Sequence, residues 1–205
     1  MPPLDRKAQK ERLEIEAQLK FIKNIFDRKL PVYLLGSYAD DALLHQAPSR
    51  WHHDVDLVAR RSDMELLKSE FESLGLKIKE EAFVPGDKPY KLLVKGQHLL
   101  VDVGFLDSDE SGTPFIDTHH PVTGERLHVH FDDDIFNQQP IQLGDMMVAT
   151  VSPLALIRSK DAHFQAGTRP SRAKDIQRKN VLIKKFYPNE DPGSDYFKLR
   201  ISKAN

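Results

Sequence analysis

Two stretches decide the fold: Leu30-Pro31-Val32-Tyr33-Leu34-Leu35-Gly36-Ser37 and, after a gap of 16 residues, Asp54-Val55-Asp56-Leu57-Val58-Ala59. The first is a short apolar run that stops at a glycine, the pattern of a buried strand entering a tight turn. Ser37 follows as a possible N-cap for a helix reaching about His45. The second stretch opens acid, Val, acid, Leu, as a strand does. Side chains two apart on a strand share a face, so Asp54 and Asp56 project together while Val55 and Leu57 point into the core. Two like charges side by side repel. The pair is stable where a cation lies between the carboxylates or water solvates both.

Asp102 is the third acid of interest. It stands alone in Leu99-Leu100-Val101-Asp102-Val103-Gly104-Phe105, an otherwise apolar strand. A charge there is costly unless it is paired or metal-bound. Mg²⁺ takes hard oxygen ligands from one or two carboxylates plus substrate phosphates. Three carboxylates on neighbouring strands could hold two such ions in the arrangement used for phosphoryl and nucleotidyl transfer. Gly36 lets a phosphate approach the backbone, and Ser37 at a helix N-terminus offers it a hydroxyl and free N–H groups. The plain alternatives are a solvated edge strand for Asp54 and Asp56, and an ion pair with Lys91 or Lys95 for Asp102.

Around these stretches the periodicity predicts a helix over 5–29, with Ile15, Leu19, Ile22 and Phe26 on one face. Ser62 to Leu74 reads as a helix with Ser62 and Glu65 as a capping box and Gly75 at its end. Strands are predicted at 76–84, 90–95 and 98–106, the last two forming a hairpin about Gly96-Gln97. Residues 107–124 read as a loop, with short strands at 126–131 and 146–151. Ser152-Pro153 opens a helix to about Gln165, Gly167 ends it, and Pro170 starts a last helix to about Tyr187. The order predicts an α+β fold: a small mixed sheet flanked by helices. Residues 1–151 form the core with its N-terminal helix, and 152–205 form a basic helical segment packed on it.

The 205 residues are 40% hydrophobic, 30% charged and free of cysteine, with a formal net charge of −1. That excludes a disulfide frame, a cysteine-built metal site and a uniformly basic nucleic-acid binder. The near-neutral total conceals a split of −8 over residues 1–151 and +7 over 152–205. No apolar run reaches the roughly 18 residues that span a bilayer, and no signal peptide is evident, so a cytoplasmic setting is expected. Within the basic segment Arg169, Arg172, Lys174 and Arg178 cluster, a patch suited to a triphosphate or a nucleic-acid backbone. Lesser candidates are His128, His130 and Asp132 as a metal site within an acid run, His119-His120 in the preceding loop, and Asp40 and Asp41 as contacts to a cationic acceptor. For Asp40 and Asp41 the favoured reading is simply acids near a helix N-terminus.

Leu35-Gly36-Ser37, Asp54-Val55-Asp56-Leu57 and the lone Asp102 together resemble the nucleotidyltransferase superfamily of DNA polymerase beta. Within it the chain is most similar to the aminoglycoside and lincosamide nucleotidyltransferases. Their first motif is Gly-Gly-Trp-Ala-x-Asp; here it is Gly36-Ser37-Tyr38-Ala39-Asp40-Asp41. A histidine precedes their acid pair, as His52-His53 do here, and Lys174-Asp175 is similar to a pair on a late helix. The resemblance covers roughly 30–106 closely and 152–185 loosely. It implies a nucleotidyltransferase fold and a Mg²⁺-dependent transfer of NMP from an NTP such as ATP to a hydroxyl of a small-molecule acceptor. It implies that Asp54, Asp56 and Asp102 hold the metals, Asp102 on the acceptor side. Gly36, Ser37, Lys160, Arg169 and Lys174 would then serve the phosphates. Alternative expectations are a toxin-type nucleotidyltransferase acting on tRNA or protein, a non-catalytic nucleotide-binding protein, and a metal hydrolase built on His128, His130 and Asp132.

Overall fold

The computed structural model describes residues 5–83, 86–120, 123–131, 133–136, 139–165 and 172–204. The chain is α+β, with a mixed sheet flanked by helices. Helix α1 (Arg6–Asp27) leads into β1 (Val32–Leu34), α2 (Gly36–His45) and β2 (Val55–Arg60). After α3 (Met64–Ser73) come β3 (Lys77–Glu81), β4 (Lys91–Gly96) and the long β5 (Leu99–Ser108). Strands β6 (Pro114–His119) and β7 (Arg126–His130) follow, then the small pair β8 (Ile141–Leu143) and β9 (Met146–Val148). Helices α4 (Pro153–Gln165) and α5 (Ala173–Phe186) and strand β10 (Arg200–Lys203) complete the described chain.

The sheet is organised about β5. Strand β2 lies parallel to it, with Asp56 opposite Asp102, and β1 closes that side antiparallel to β2. On its other side β5 pairs first with β4 and then, through Leu106 to Ser108, with β6. Val101, Val103 and Phe105 are fully buried on one face of β5, while Asp102 and Gly104 on the other are half-buried, the alternation of a strand with one face in the core. On α1 the predicted stripe holds in part: Ile22 is buried and Leu19 and Phe26 pack against the core, joined by Phe21 and Ile25, whereas Ile15 is only half-buried. On α3 the stripe centres on Leu67 and Phe71, both fully buried, and Phe71 meets Phe21 of α1 with ring centroids 5.8 Å apart.

Several expectations are corrected. Residues 107–124 are not a loop: β5 continues to Ser108, and β6 occupies much of the rest. Its order comes from pairing with β5 and β7, a long-range contact that local periodicity does not register. The hairpin turn is Gln97-His98, because Gly96 still pairs with Leu99. Ser62 caps nothing; it lies in a 3₁₀ turn over Arg61–Asp63, and the N-cap position of α3 is Asp63, without a side-chain bond. Helix α2 begins one residue before Ser37, with Leu35 at the N-cap position. Residues 152–205 are not wholly helical, since β10 returns to pair with β7 of the sheet. The expected start of the last helix at Pro170 lies outside the described residues, and α5 is seen from Ala173. By contrast Ser152 caps α4 as expected, its Oγ accepting from the Ala155 N–H at 3.1 Å, with Pro153 as first residue.

Truncating Phe71 to alanine removes a fully buried ring and leaves a cavity, so Phe71→Ala is expected to lower stability by about 3–5 kcal/mol. Leu66 on the same helix is 49% exposed, and Leu66→Ala is expected to change it by less than about 0.5 kcal/mol. Urea denaturation of the two variants checks the assignment of the buried face.

Candidate active site

The site is built where β1 passes into α2. The Leu35 N–H donates to the Asp56 carbonyl at 2.9 Å, which fixes the end of β1 against the start of β2. Gly36 then takes a φ of +62°, a left-handed conformation in which a Cβ is strained. A Cβ placed there would also lie 1.9 Å from Asp56 Oδ2. Both the backbone conformation and the close approach therefore require glycine. Because α2 starts at this point, the N–H groups of its first turn have no partners within the helix and attract negative charge.

Asp56 and Asp102 face one another in register on parallel strands, and Asp54 sits two residues before Asp56, half-buried. Burial pushes the Asp56 carboxyl up to about 7; the charges of Asp54 and Asp102 push the same way, and Lys160 and Lys91 oppose them. The charges of Asp54 and Asp102 are thus both felt at Asp56. Asp102 also has a partner of its own, since Lys91 Nζ donates to its Oδ2 at 2.8 Å and lies 3.4 Å from Glu81 Oε2. Of the two lysines considered, Lys91 is the partner; Lys95 stands opposite Leu100. Among the described residues no three His, Asp or Glu side chains are already gathered to hold an ion. The donor set nevertheless suits a hard divalent cation: it is all oxygen, it is carried on adjacent strands, and Asp56 is held in a like-charge setting that a cation would relieve.

Two cavities meet at Asp56, which they share with Leu35 and Ser159; Asp102 lines only the second and Asp54 lines neither. The first, about 190 Å³, is lined by Gly36 and Ser37, by five cations, Arg50, Lys160, Arg172, Lys174 and Arg178, and by the carboxylates of Asp40, Asp56 and Asp175, with Arg172 paired to Asp175 at 2.5 Å. The second, about 290 Å³, lies on the Asp102 side and has largely apolar walls. The structure therefore brings Gly36, Ser37, Lys160 and Lys174 together with Asp56, and places Asp102 across from them. Arg169 lies outside the described residues. Arg50, from the segment before the acid pair, belongs to the cationic cavity although nothing in its local sequence marked it. Lys160 is less free than expected: its ammonium bonds Asp40 Oδ2 at 2.7 Å and is nearly buried.

Asp40 and Asp41 are not acids at a solvated helix end. Both are buried. Burial raises the Asp40 carboxyl against the pull of Lys160 and Arg178, and its Oδ1 has no partner among the described residues. Asp41 accepts from Ser49 Oγ at 2.5 Å and meets His52 Nε2 at 2.8 Å. Burial works against its charge, yet the bonds from His52 and Ser49 hold its carboxyl below the usual range. The His52 carbonyl accepts from Gln18 Nε2 at 3.1 Å, and Gln18 Oε1 accepts from the Tyr38 hydroxyl at 2.7 Å. Trp51 Nε1 donates to Glu14 of α1 at 2.7 Å. This network pins the segment that delivers Asp54 and Asp56. Its sequence signal was the placement of His52 just before the acid pair and of two acids in the first helix after Gly36.

The histidine candidates part company. His128 and His130 do share a face of β7, with ring centroids 6.1 Å apart. His128 meets Asp117 at 3.2 Å, whereas His130 bonds Ser202 at 2.9 Å and Arg200 at 3.0 Å. Asp132 lies outside the described residues. His119 ends β6, and His120 accepts a backbone bond from Thr123 at 3.3 Å.

Comparison with known proteins rests on structure. No family model matches the chain, and no curated protein matches it. Among solved structures, the lincosamide antibiotic adenylyltransferase LnuA, with lincomycin bound, aligns at a TM-score of 0.52 and 19% identity, over 82% of this chain and 95% of LnuA. The solution structure of the antibiotic-resistance factor ANT(2'')-Ia aligns at 0.57 and 19% identity, over 90% and 87% of the two chains. The crystal structure of ANT(2'')-Ia with adenylyl-2''-tobramycin aligns at 0.58 and 19% identity, over 86% and 90%. The chain therefore has the fold of these nucleotidyltransferases.

A carboxyl whose folded value stands near 7 binds its proton more tightly folded than unfolded, where it titrates near ~3.9. The folded state then binds more protons between those values, so stability falls as pH rises from about 4 to about 7 and is level above. In a chelating buffer Asp56→Asn is expected to remove that part of the slope. Denaturant midpoints measured across this range check it; parallel profiles for the two proteins would contradict the assigned environment of Asp56.

Proposed function

We propose that this protein is a Mg²⁺-dependent nucleotidyltransferase that moves NMP from an NTP to a hydroxyl of a small-molecule acceptor. The observation that carries the reading is the pair of cavities, one cationic and one largely apolar, that meet at Asp56. A nucleoside triphosphate has its charge at one end; of the five basic side chains around one cavity, Lys160 and Arg172 already face Asp40 and Asp175, and Arg50, Lys174 and Arg178 are left to match it. The apolar cavity would receive the acceptor on the other side of the same acids. The likeness in fold to LnuA and ANT(2'')-Ia supports this choice of reaction.

Asp54, Asp56 and Asp102 would hold the metal, which when bound supplies positive charge to the attacking and leaving oxygens. The rest of the work falls to the chain. The first turn of α2, from Gly36 and Ser37, receives phosphate oxygens on its free N–H groups. Lys160, Lys174, Arg172 and Arg178 offset the charge that builds on the departing pyrophosphate. The acceptor hydroxyl attacks the α-phosphorus, the bond from that phosphorus to the bridging oxygen breaks, and pyrophosphate leaves. Asp102 would take the hydroxyl proton. Lys91 orients that carboxylate in the free protein. The basic side chains around the phosphate cavity converge on Asp56, an arrangement that fits one triphosphate better than a nucleic-acid backbone tracked across a surface.

The test is incorporation of label from ATP, CTP, GTP or UTP into lincosamides, aminoglycosides and tRNA in the presence of Mg²⁺. Transfer to a small hydroxyl compound is expected. Asp54→Asn and Asp56→Asn are each expected to lower it at least about 100-fold, and a chelator to abolish it. Transfer that survives Asp56→Asn unchanged, or labelling of tRNA alone, would contradict the reading.

A further inference from the structure

We propose, resting on the reading above, that the acceptor is a hydroxyl compound with an apolar face and at most one positive charge, and that Arg126 enforces this choice. The second cavity is walled by Leu35, Leu57, Tyr90, Ile116, Val129 and Phe131. Besides Asp56, it contains two carboxylates, Asp102 and Asp117. A polycationic acceptor would need such groups uncompensated, because a charge already paired at close range attracts a second cation weakly.

Neither is uncompensated. Asp102 is bonded by Lys91 at 2.8 Å. Asp117 is 5% exposed and is gripped by Arg126 through two bonds, Nη2 to Oδ2 at 2.6 Å and Nε to Oδ1 at 3.1 Å. The ring of His128 meets the same carboxylate at 3.2 Å. A two-pronged guanidinium–carboxylate pair is among the stronger polar contacts in a protein. It comes from neighbouring strands, β6 and β7, in fixed register, with Asp117 opposite His128. The cavity therefore presents apolar surface and pre-neutralised acids. Neutral polar groups remain at Thr118 and Ser159, which suit hydroxyls rather than amines, beside Asp56 and Asp102 where the reacting hydroxyl would lie.

The reading makes Arg126 a specificity residue. Removing its guanidinium bares a carboxylate in the cavity and turns it toward amines.

Two probes separate the cases: phenyl β-D-glucoside, a neutral polyol with an apolar ring, and neamine, a sugar-like polyamine. Their binding to the full chain is measured by calorimetry or saturation-transfer NMR at low and high ionic strength. Phenyl glucoside is expected to bind the wild type with little salt dependence, and neamine at least about tenfold more weakly. Arg126→Ala is expected to raise neamine affinity about tenfold at low salt, the effect of one new charged contact. Arg126→Ala combined with Asp117→Asn should lose that gain. Preference of the wild type for neamine, binding of neither probe, or an Arg126→Ala protein folded by circular dichroism with unchanged preference would each overturn the proposal. If Arg126→Ala does not fold, the wild-type preference and its salt dependence decide. NTP binding followed on the same samples keeps the two readings apart. Lost nucleotide binding with the probes still discriminated counts against the transferase, and intact nucleotide binding with the preference reversed counts against the acceptor class.

Discussion

The contact between the Gly36 backbone and the Asp56 carboxylate is the constraint on which the site depends. A side chain on residue 36 would occupy the position of Asp56 Oδ2, and a residue other than glycine would resist the φ of +62°. The same turn starts α2, so one backbone feature sets both the position of the acid and the direction of the free N–H groups. The bond from the Leu35 N–H to the Asp56 carbonyl ties the two strands at that level. Parallel pairing of β2 with β5 then brings Asp102 alongside.

Charge organises what surrounds this point. The acidic excess of residues 1–151 and the basic excess of 152–205 meet across it: Lys160 of α4 bonds Asp40 of α2, and Lys185 of α5 donates to the Leu43 carbonyl near the C-terminal end of α2 at 2.8 Å. These contacts dock the basic helices with Lys174 and Arg178 turned to the cavity beside Asp56. A buried ion pair such as Asp40–Lys160 adds little net stability, because desolvation of both charges offsets their attraction. Its value lies in position, since it fixes α4 relative to the turn at Gly36. A chain that is nearly neutral overall therefore carries a strongly polarised cleft.

How much of this was legible in sequence follows from how local each signal is. The strand ending at Leu34, the turn at Gly36, the alternation from Val55 and the lone Asp102 are all local patterns and stand in the structure, although β2 starts at Val55 and leaves Asp54 just before it. The cap at Ser152 is equally local. Strand β6 was read as a loop because Phe115 and Ile116 are its only large aliphatic or aromatic residues; its order comes from strands before and after it. The burial of Asp40 and Asp41 was hidden for the same reason. Their partners, Lys160 and His52, are 120 and 11 residues away; His52 is marked by its place before the acid pair, but nothing near Asp40 announces Lys160. Arg50 and Arg126 belong here too, since each acquires its meaning from a neighbour that only the fold supplies. The ion pair of Lys91 with Asp102 is the plain alternative to metal binding for that acid, and it is formed in the structure.

On the proposed function, the approach of Gly36 to Asp56, and not merely the presence of acids, would create the metal site. Electron paramagnetic resonance of Mn²⁺ titrated into the protein with nucleotide present tests it directly, with Gly36→Ala as the decisive variant. That protein keeps all three carboxylates. The account predicts that it retains the circular dichroism of the wild type yet loses bound Mn²⁺ as fully as Asp56→Asn does. Mn²⁺ bound by Gly36→Ala as tightly as by the wild type would contradict it.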